Sequence, residues 1–344
     1  MNSNNALLIR SLQGKKQERI PFWFMRQAGR YLPEYRELRS RAKNFLDFCY
    51  TPAMAAEATL QPIRRFGMSG AIIFSDILVV PDALGANVNF QEGKGPVLTP
   101  VKTHEELDRL SFDRFGERLS PVYEALRLTR ASLPQETALI GFVGAPWTIA
   151  CYMVQGISDK NFHGVREKAS ADAKFFSSLI ALLTEAVTRH AVAQIQSGAQ
   201  VIQIFDSWAG VLNEEEFRRW CIEPAKRIVA GIRNVHPAVP VIGFPRMAGK
   251  LYGEYAKATG VNAVSVDQSL PPQEAREQLA ELCVIQGNLD PELLCGDKNR
   301  MLAQAEKIIV TFGDKSFVFN LGHGILPQTS IENVEALSRF LKAV

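Results

Sequence analysis

The 344-residue sequence predicts an α/β protein of the (β/α)8 TIM-barrel class, a single domain over residues 1–344 with an inserted loop after the second strand. Short runs rich in Val, Ile and Phe recur along the chain without polar alternation, as in strands buried on both faces of a parallel sheet. The segments between them return apolar residues every three or four positions, as helices packed on such a sheet do. The runs number eight, which is what a closed barrel needs.

In chain order the expected strands are FWFMR (22–26), AIIFSDIL (71–78), LIGFVG (139–144), VIQIFDS (201–207), VIGFPR (241–246), AVSVDQ (263–268), VIQGNL (284–289) and FVFNLG (317–322). The clearest amphipathic segments are MAAEATLQPIRRF, PVYEALRLTRASL, EEEFRRWCIEPAKRIVAGIRNV and IENVEALSRFLKAV. About sixty residues separate the second strand from the third, and PDALGANVNFQEGKGPVLTP within them is rich in Gly and Pro. An insertion of that composition is expected to be a loop or hairpin walling the cleft.

With 39 Lys and Arg against 36 Asp and Glu, the net charge is +3, so the surface is not that of a nucleic-acid binder. The N-terminal apolar run, Ala6 to Ile9, is too short for the core of a signal peptide, and no stretch reaches the length of a membrane span. Five scattered cysteines without CxxC spacing disfavour a disulfide framework or a zinc site and point to a reducing cytoplasm.

In such a barrel the strand exits share one mouth. The stretch PFWFMRQAGR ends a buried run on Arg26, Gln27, Ala28, Gly29 and Arg30, where turn residues would be ordinary. These arginines either pair with Glu34 or Glu37 nearby or present a fork to an anionic ligand. Asp76 after AIIFS is a turn cap or a carboxylate at the edge of a dry cavity. Tyr152 is a rim residue or a hydroxyl donor, and Ser207, outside any G-x-S-x-G elbow, caps a helix or bonds a ligand. His323 lies between Gly322 and Gly324, where the backbone allows close approach. Asp206, Asp267 and Asp290 are candidate caps. The chain contains no P-loop, HExxH or strand-linked G-x-G-x-x-G, so residue patterns alone reach a barrel enzyme for a small anion, without nucleotide or metal.

PFWFMRQAGR together with GFVGAPWTIACYMVQG resembles the uroporphyrinogen decarboxylase family, and FSDILVVPDALG, IQIFDSWAG and NLGHGI fit it in the same order. The likeness runs from about Arg10 to the C-terminus, with Ile149 and Gln155 as mild departures within the second motif. It implies a homodimeric barrel without cofactor or metal. Its substrate would be uroporphyrinogen III, whose four acetate arms become methyls in coproporphyrinogen III. Carried over by position, residues 26–30 bind carboxylates, Asp76 is the catalytic carboxylate, and Tyr152, Ser207 and His323 line the cavity. Arg26, Arg30, Arg39 and His323 are the expected cationic partners of the substrate's carboxylates. The readings weighed against this one are a zinc-dependent corrinoid/thiol methyltransferase of the same superfamily, a porphyrinogen-binding protein without turnover, and a metal-dependent barrel hydrolase.

Overall fold

In the computed structural model, which describes residues 6–91, 95–159 and 161–344, the chain forms nine strands. They are β1 (Gly70–Ile72), β2 (Val88–Gln91), β3 (Gly95–Leu98), β4 (Ala138–Gly144), β5 (Val201–Asp206), β6 (Val241–Pro245), β7 (Ala263–Ser265), β8 (Val284–Leu289) and β9 (Phe317–Leu321). Seven of them make one curled parallel sheet in the order β1-β4-β5-β6-β7-β8-β9. Its strands are buried along their length, because the outer face is covered by helices such as Pro52–Phe66, Ala173–Gln196, Glu223–Val235, Lys298–Phe312 and Ile331–Ala343.

The gap between β9 and β1 is filled by the segment expected as the first strand. The Phe319 N–H donates to the Pro21 carbonyl at 2.9 Å, and the Trp23 N–H donates to the Phe319 carbonyl at 3.3 Å. On the other side the Ser69 N–H donates to the Phe22 carbonyl at 2.8 Å, and the Phe22 N–H reaches the Ser69 hydroxyl at 3.3 Å. FWFMR is therefore no regular strand but a single parallel bridge, Phe22 to Phe319. Pro21 has no N–H to extend the ladder, and Arg26 turns into the left-handed region at φ 58°, so pairing ends on both sides.

The second expected strand, 71–78, is also shorter than its apolar run. Beyond β1 the Ile73 N–H still reaches the Ile140 carbonyl, but the Phe74 N–H is taken by the Thr59 hydroxyl at 2.9 Å and the chain leaves the sheet. The remaining expected strands coincide with β4 to β9 with small end shifts, the largest at β7, which stops at Ser265 rather than 268. The helical reading of 214–235 holds with a π turn at Arg218–Ile222 inside it.

The insertion folds as a short helix, Val79–Ala83, and the antiparallel hairpin β2–β3; its tip and the Lys94 stretch lie outside the described residues. β3 docks on the C-terminal end of the helix Pro146–Gln155, where the Leu98 N–H donates to the Gly156 carbonyl at 2.7 Å and Val97 bridges Ile157. The hairpin thus braces the helix that carries Tyr152. No helix among the described residues is long and apolar enough to cross a membrane.

The lumen holds a polar chain. The Trp23 indole N–H donates to Gln286 Oε1 at 3.0 Å, and Gln286 Nε2 donates to Gln203 Oε1 at 3.0 Å, so the bridging segment, β8 and β5 are tied across the interior. All three side chains are fully buried, where an unmatched acceptor costs about 1–3 kcal/mol. Trp23→Phe, which removes the donor, is expected to lower the unfolding free energy by roughly that amount in urea titration; an unchanged midpoint would show that the chain does not hold the barrel closed.

Candidate active site

The loop after the bridging segment is locked to the exit of β9. The Met25 N–H donates to Asn320 Oδ1 at 3.1 Å, and the Ile325 N–H donates to the Met25 carbonyl at 2.9 Å. Gln27 is buried: its Nε2 donates to the Gly70 carbonyl at 3.2 Å, its Oε1 accepts from the Phe24 N–H at 3.3 Å, and its carbonyl accepts from the Tyr31 hydroxyl at 2.8 Å. Its side chain is therefore committed to bracing the loop. Ala28 and Gly29 are half-buried, and a Cβ at Gly29 would sit 3.0 Å from the Arg26 carbonyl, which favours glycine in so tight a turn.

Arg26 and Arg30 are exposed and make no side-chain hydrogen bond or ion pair with a described residue. Their acidic neighbours are engaged elsewhere, since Glu34 pairs with Arg65 at 2.9 Å and Glu37 with Arg41 at 2.5 Å. Arg39 donates to the Ala42 carbonyl at 3.3 Å and lies 6.0 Å over the Phe48 ring.

Asp76 stands in the turn that leaves β1, half-buried, with Oδ1 accepting from the Leu78 N–H at 2.8 Å. Burial raises its pKa above the ordinary aspartate value, and the Leu78 N–H and the Arg26 charge offset part of that rise. Tyr152 lies within range of the same charge: burial and then Asp76 hold its phenol protonated, and its oxygen accepts from Trp208 Nε1 at 3.3 Å. Ser207, half-buried just past β5, has no hydrogen-bond partner among the described residues.

His323 sits where two glycines let the chain pass. A Cβ at Gly322 would overlap the Gln268 backbone, and one at Gly324 would overlap the side chain of Arg26. The imidazole is pushed down to about 3 by burial, then by Arg246 and Arg26, with Asp267 acting weakly the other way. His323 is thus neutral at physiological pH, which corrects the expectation that it is a cationic partner. It offers a hydrogen bond instead.

Several residues not singled out in the sequence share this mouth. Arg246, at the exit of β6, is half-buried and unpaired among the described residues. Gly141 and Gly243 face the outer helices, where a Cβ would overlap Gln194 and Tyr255, so their neighbours Phe142 and Phe244 point inward. Phe142 meets Phe205 edge-on at 5.6 Å, and Phe205 meets Phe244 at 6.0 Å, an aromatic wall whose first two rings are half-exposed. The Gly-Phe alternation in LIGFVG was the available signal.

The other acids serve structure. Asp206 is buried, accepts from the Thr148 hydroxyl at 2.6 Å and is pushed up to about 6 by burial. Asp267 is also buried, yet hydrogen bonds from Ser269, from the Tyr252 hydroxyl at 2.5 Å and from the Met247 N–H at 2.7 Å outweigh burial and lower its pKa. Asp290 caps the turn Pro291–Cys295. Among the described residues no three His, Cys, Asp or Glu side chains gather as a metal site would require.

Guanidiniums without anionic partners, a carboxylate kept partly dry and an aromatic wall at the C-terminal mouth describe a barrel enzyme class that takes a small polyanion with an apolar body. Residues 3–344 match the uroporphyrinogen decarboxylase (URO-D) family profile. Uroporphyrinogen decarboxylase of Rhodospirillum rubrum is 48% identical over 335 residues, 97% of this chain and 96% of that protein. Uroporphyrinogen decarboxylase of Granulibacter bethesdensis is 47% identical over 343 residues, 99% of this chain and 100% of that one. Among solved structures, a methyltransferase from Methanosarcina mazei superposes with a TM-score of 0.77 at 20% identity, over 98% of this chain and 97% of that one, which shows a shared fold. The chain belongs to the uroporphyrinogen decarboxylase family and is a carboxy-lyase.

Gly324 is spared for the Arg26 side chain rather than for backbone freedom. Gly324→Ala is expected to melt near the native temperature yet to raise KM roughly fivefold or more, the loss of one charge-assisted contact. Unchanged KM would mean that Arg26 does not reach the substrate.

Proposed function

We propose that the chain removes the four acetate carboxyls of uroporphyrinogen III as CO2, leaving methyls, to give coproporphyrinogen III. The observation that carries this reading is Asp76, a partly dry carboxylate opposite Arg26 at the barrel mouth. A pyrrole protonated at a ring carbon is an iminium-like cation. The electron pair of the breaking C–C bond flows into it as CO2 leaves, the exocyclic carbon then takes a proton to become the methyl, and the ring carbon gives up the proton it had gained, restoring the pyrrole. The net change at each arm is the loss of CO2 and the gain of one proton.

Asp76 in its ionised form accepts the pyrrole N–H groups and stabilises the cation, an interaction stronger in a cleft that excludes water. Arg26 and Arg30 hold substrate carboxylates, which cannot enter such a cleft without positive partners. Phe142 and Phe205 provide the apolar surface for the macrocycle. Tyr152, kept protonated, and neutral His323 are hydrogen-bond donors to the bound substrate, and Ser207 adds a free hydroxyl.

The cytoplasm and a homodimeric state complete the reading. Free cysteines, with Cys49, Cys151 and Cys221 buried, support the first. The likeness to the family supports the second, and sedimentation equilibrium at a mass twice that of the chain is the expected result.

Asp76→Asn is expected to fold normally and to lose at least about 10²-fold in kcat, since a neutral amide cannot balance the cation; a rate within tenfold of the native one would sink the role given to Asp76. The pH profile follows in sign. Because burial raises the Asp76 pKa, protonation neutralises it at a higher pH than an ordinary aspartate. Activity in the free enzyme should therefore fall, as pH is lowered, above the usual carboxylate range. A kcat/KM that stays flat down through that range would contradict an ionised Asp76. Arg30→Ala is expected to raise KM and flatten its dependence on salt, measured between low and physiological ionic strength.

A further inference from the structure

Arg246 ends β6, and its backbone is held from two sides. The Arg246 N–H donates to the Asp206 carbonyl at 3.1 Å and to the Phe244 carbonyl at 3.0 Å. The next residue, Met247, takes a left-handed φ of 61° with its N–H on the Asp267 carboxylate at 2.7 Å. Gly210 lets the turn approach, because a Cβ there would overlap the Met247 side chain and lie 3.2 Å from the Arg246 carbonyl. A buried carboxylate and a neighbouring strand exit thus fix where this arginine starts.

Its side chain, so placed, is left unsatisfied. The guanidinium is half-buried, its Nε is buried without a hydrogen-bond partner, and no described carboxylate pairs with it. Most arginines that turn toward neighbouring acids find them, as Arg65, Arg166, Arg218 and Arg276 do. A buried N–H without an acceptor is costly, and at the mouth of the barrel a bound anion can supply that acceptor. The charge is felt across the mouth at His323, where it acts more strongly than that of Arg26. The backbone brings the three together: Gly324 lies against the Arg26 side chain, Gly322 against Gln268, and Asp267 before it holds the Met247 N–H that follows Arg246. Like charges so placed repel each other unless an anion lies between them.

We propose that Arg246 is a further substrate-binding residue, whose guanidinium fork, with His323 and Arg26, grips one carboxylate arm of the tetrapyrrole on the β6–β9 side of the mouth. A carboxylate fits because it accepts two parallel N–H bonds from one arginine and a third from the imidazole. The mouth then holds the substrate at two places: Arg30 at one, Arg246 with Arg26 and His323 at the other, with the macrocycle over Asp76. This inference rests on the proposed decarboxylation.

The test is anaerobic steady-state turnover of uroporphyrinogen III by the full chain and by R246Q and R246K. Turnover by the native chain tests the decarboxylase reading; the ratio of variant to native KM tests Arg246 alone. R246Q is expected to raise KM roughly tenfold or more, with a smaller change in kcat and a shallower dependence of KM on salt. R246K keeps the charge and loses the fork, so KM should rise severalfold, between the native and R246Q values. In parallel, the His323 imidazole should titrate at higher pH in R246Q, read by NMR, because a neighbouring cation has gone. R246Q with native KM and native salt dependence overturns the proposal, as does R246K with native KM, which remains readable if R246Q does not fold.

Discussion

Barrel closure at Phe22 is the constraint on which the site depends. Backbone bonds from Pro21 and Trp23 to Phe319, and from Phe22 to Ser69, seat one short segment between the last strand and the first. That segment ends in Arg26, Gln27, Ala28, Gly29 and Arg30. The same closure places Met25 against Asn320 and Ile325, which locks the arginine loop over the turn carrying His323. Residues about 300 positions apart in sequence become one wall of the mouth.

Within that frame a single physical effect acts oppositely on different groups. Burial raises Asp76 and lowers His323, while the guanidiniums carry their positive charge to the same mouth. The mouth is therefore weighted toward positive charge in a chain whose net charge is only +3. Positive charge is concentrated where a polycarboxylate would enter, and the acid that opposes it is held where a cation would form. In the proposed reaction, binding and chemistry would be served by different ends of the same field.

Much of this was legible in the sequence. Strands buried on both faces read as unbroken apolar runs, so β4 to β9 were placed nearly to the residue. The first strand is shorter than its apolar run because its pairing is ended by Pro21, by the left-handed turn at Arg26 and by the reach of its partner at Phe319, and the last two are not local patterns. Its place in the loop groups Gln27 with the ligand-facing residues, but the burial of its side chain against Gly70 is a tertiary fact. A charge on His323 is what its sequence neighbours suggest, but the burial that suppresses it is a tertiary fact, and Arg246, which adds to it, lies some eighty positions earlier. Arg246 itself was within reach: VIGFPR ends a buried run on an arginine just as FWFMR does, and the argument that singled out Arg26 applied to both.

The central claim is that the mouth built around Asp76 performs decarboxylation with the substrate as its own electron sink. The most direct measurement is anaerobic incubation of the purified chain with uroporphyrinogen III, with chelator and no added cofactor, counting CO2 released per tetrapyrrole and separating the oxidised porphyrins by chromatography. The account requires stepwise loss of carboxyls to the four-carboxylate product, with one CO2 for each methyl formed. Folded protein that binds the tetrapyrrole and releases no CO2 would contradict it.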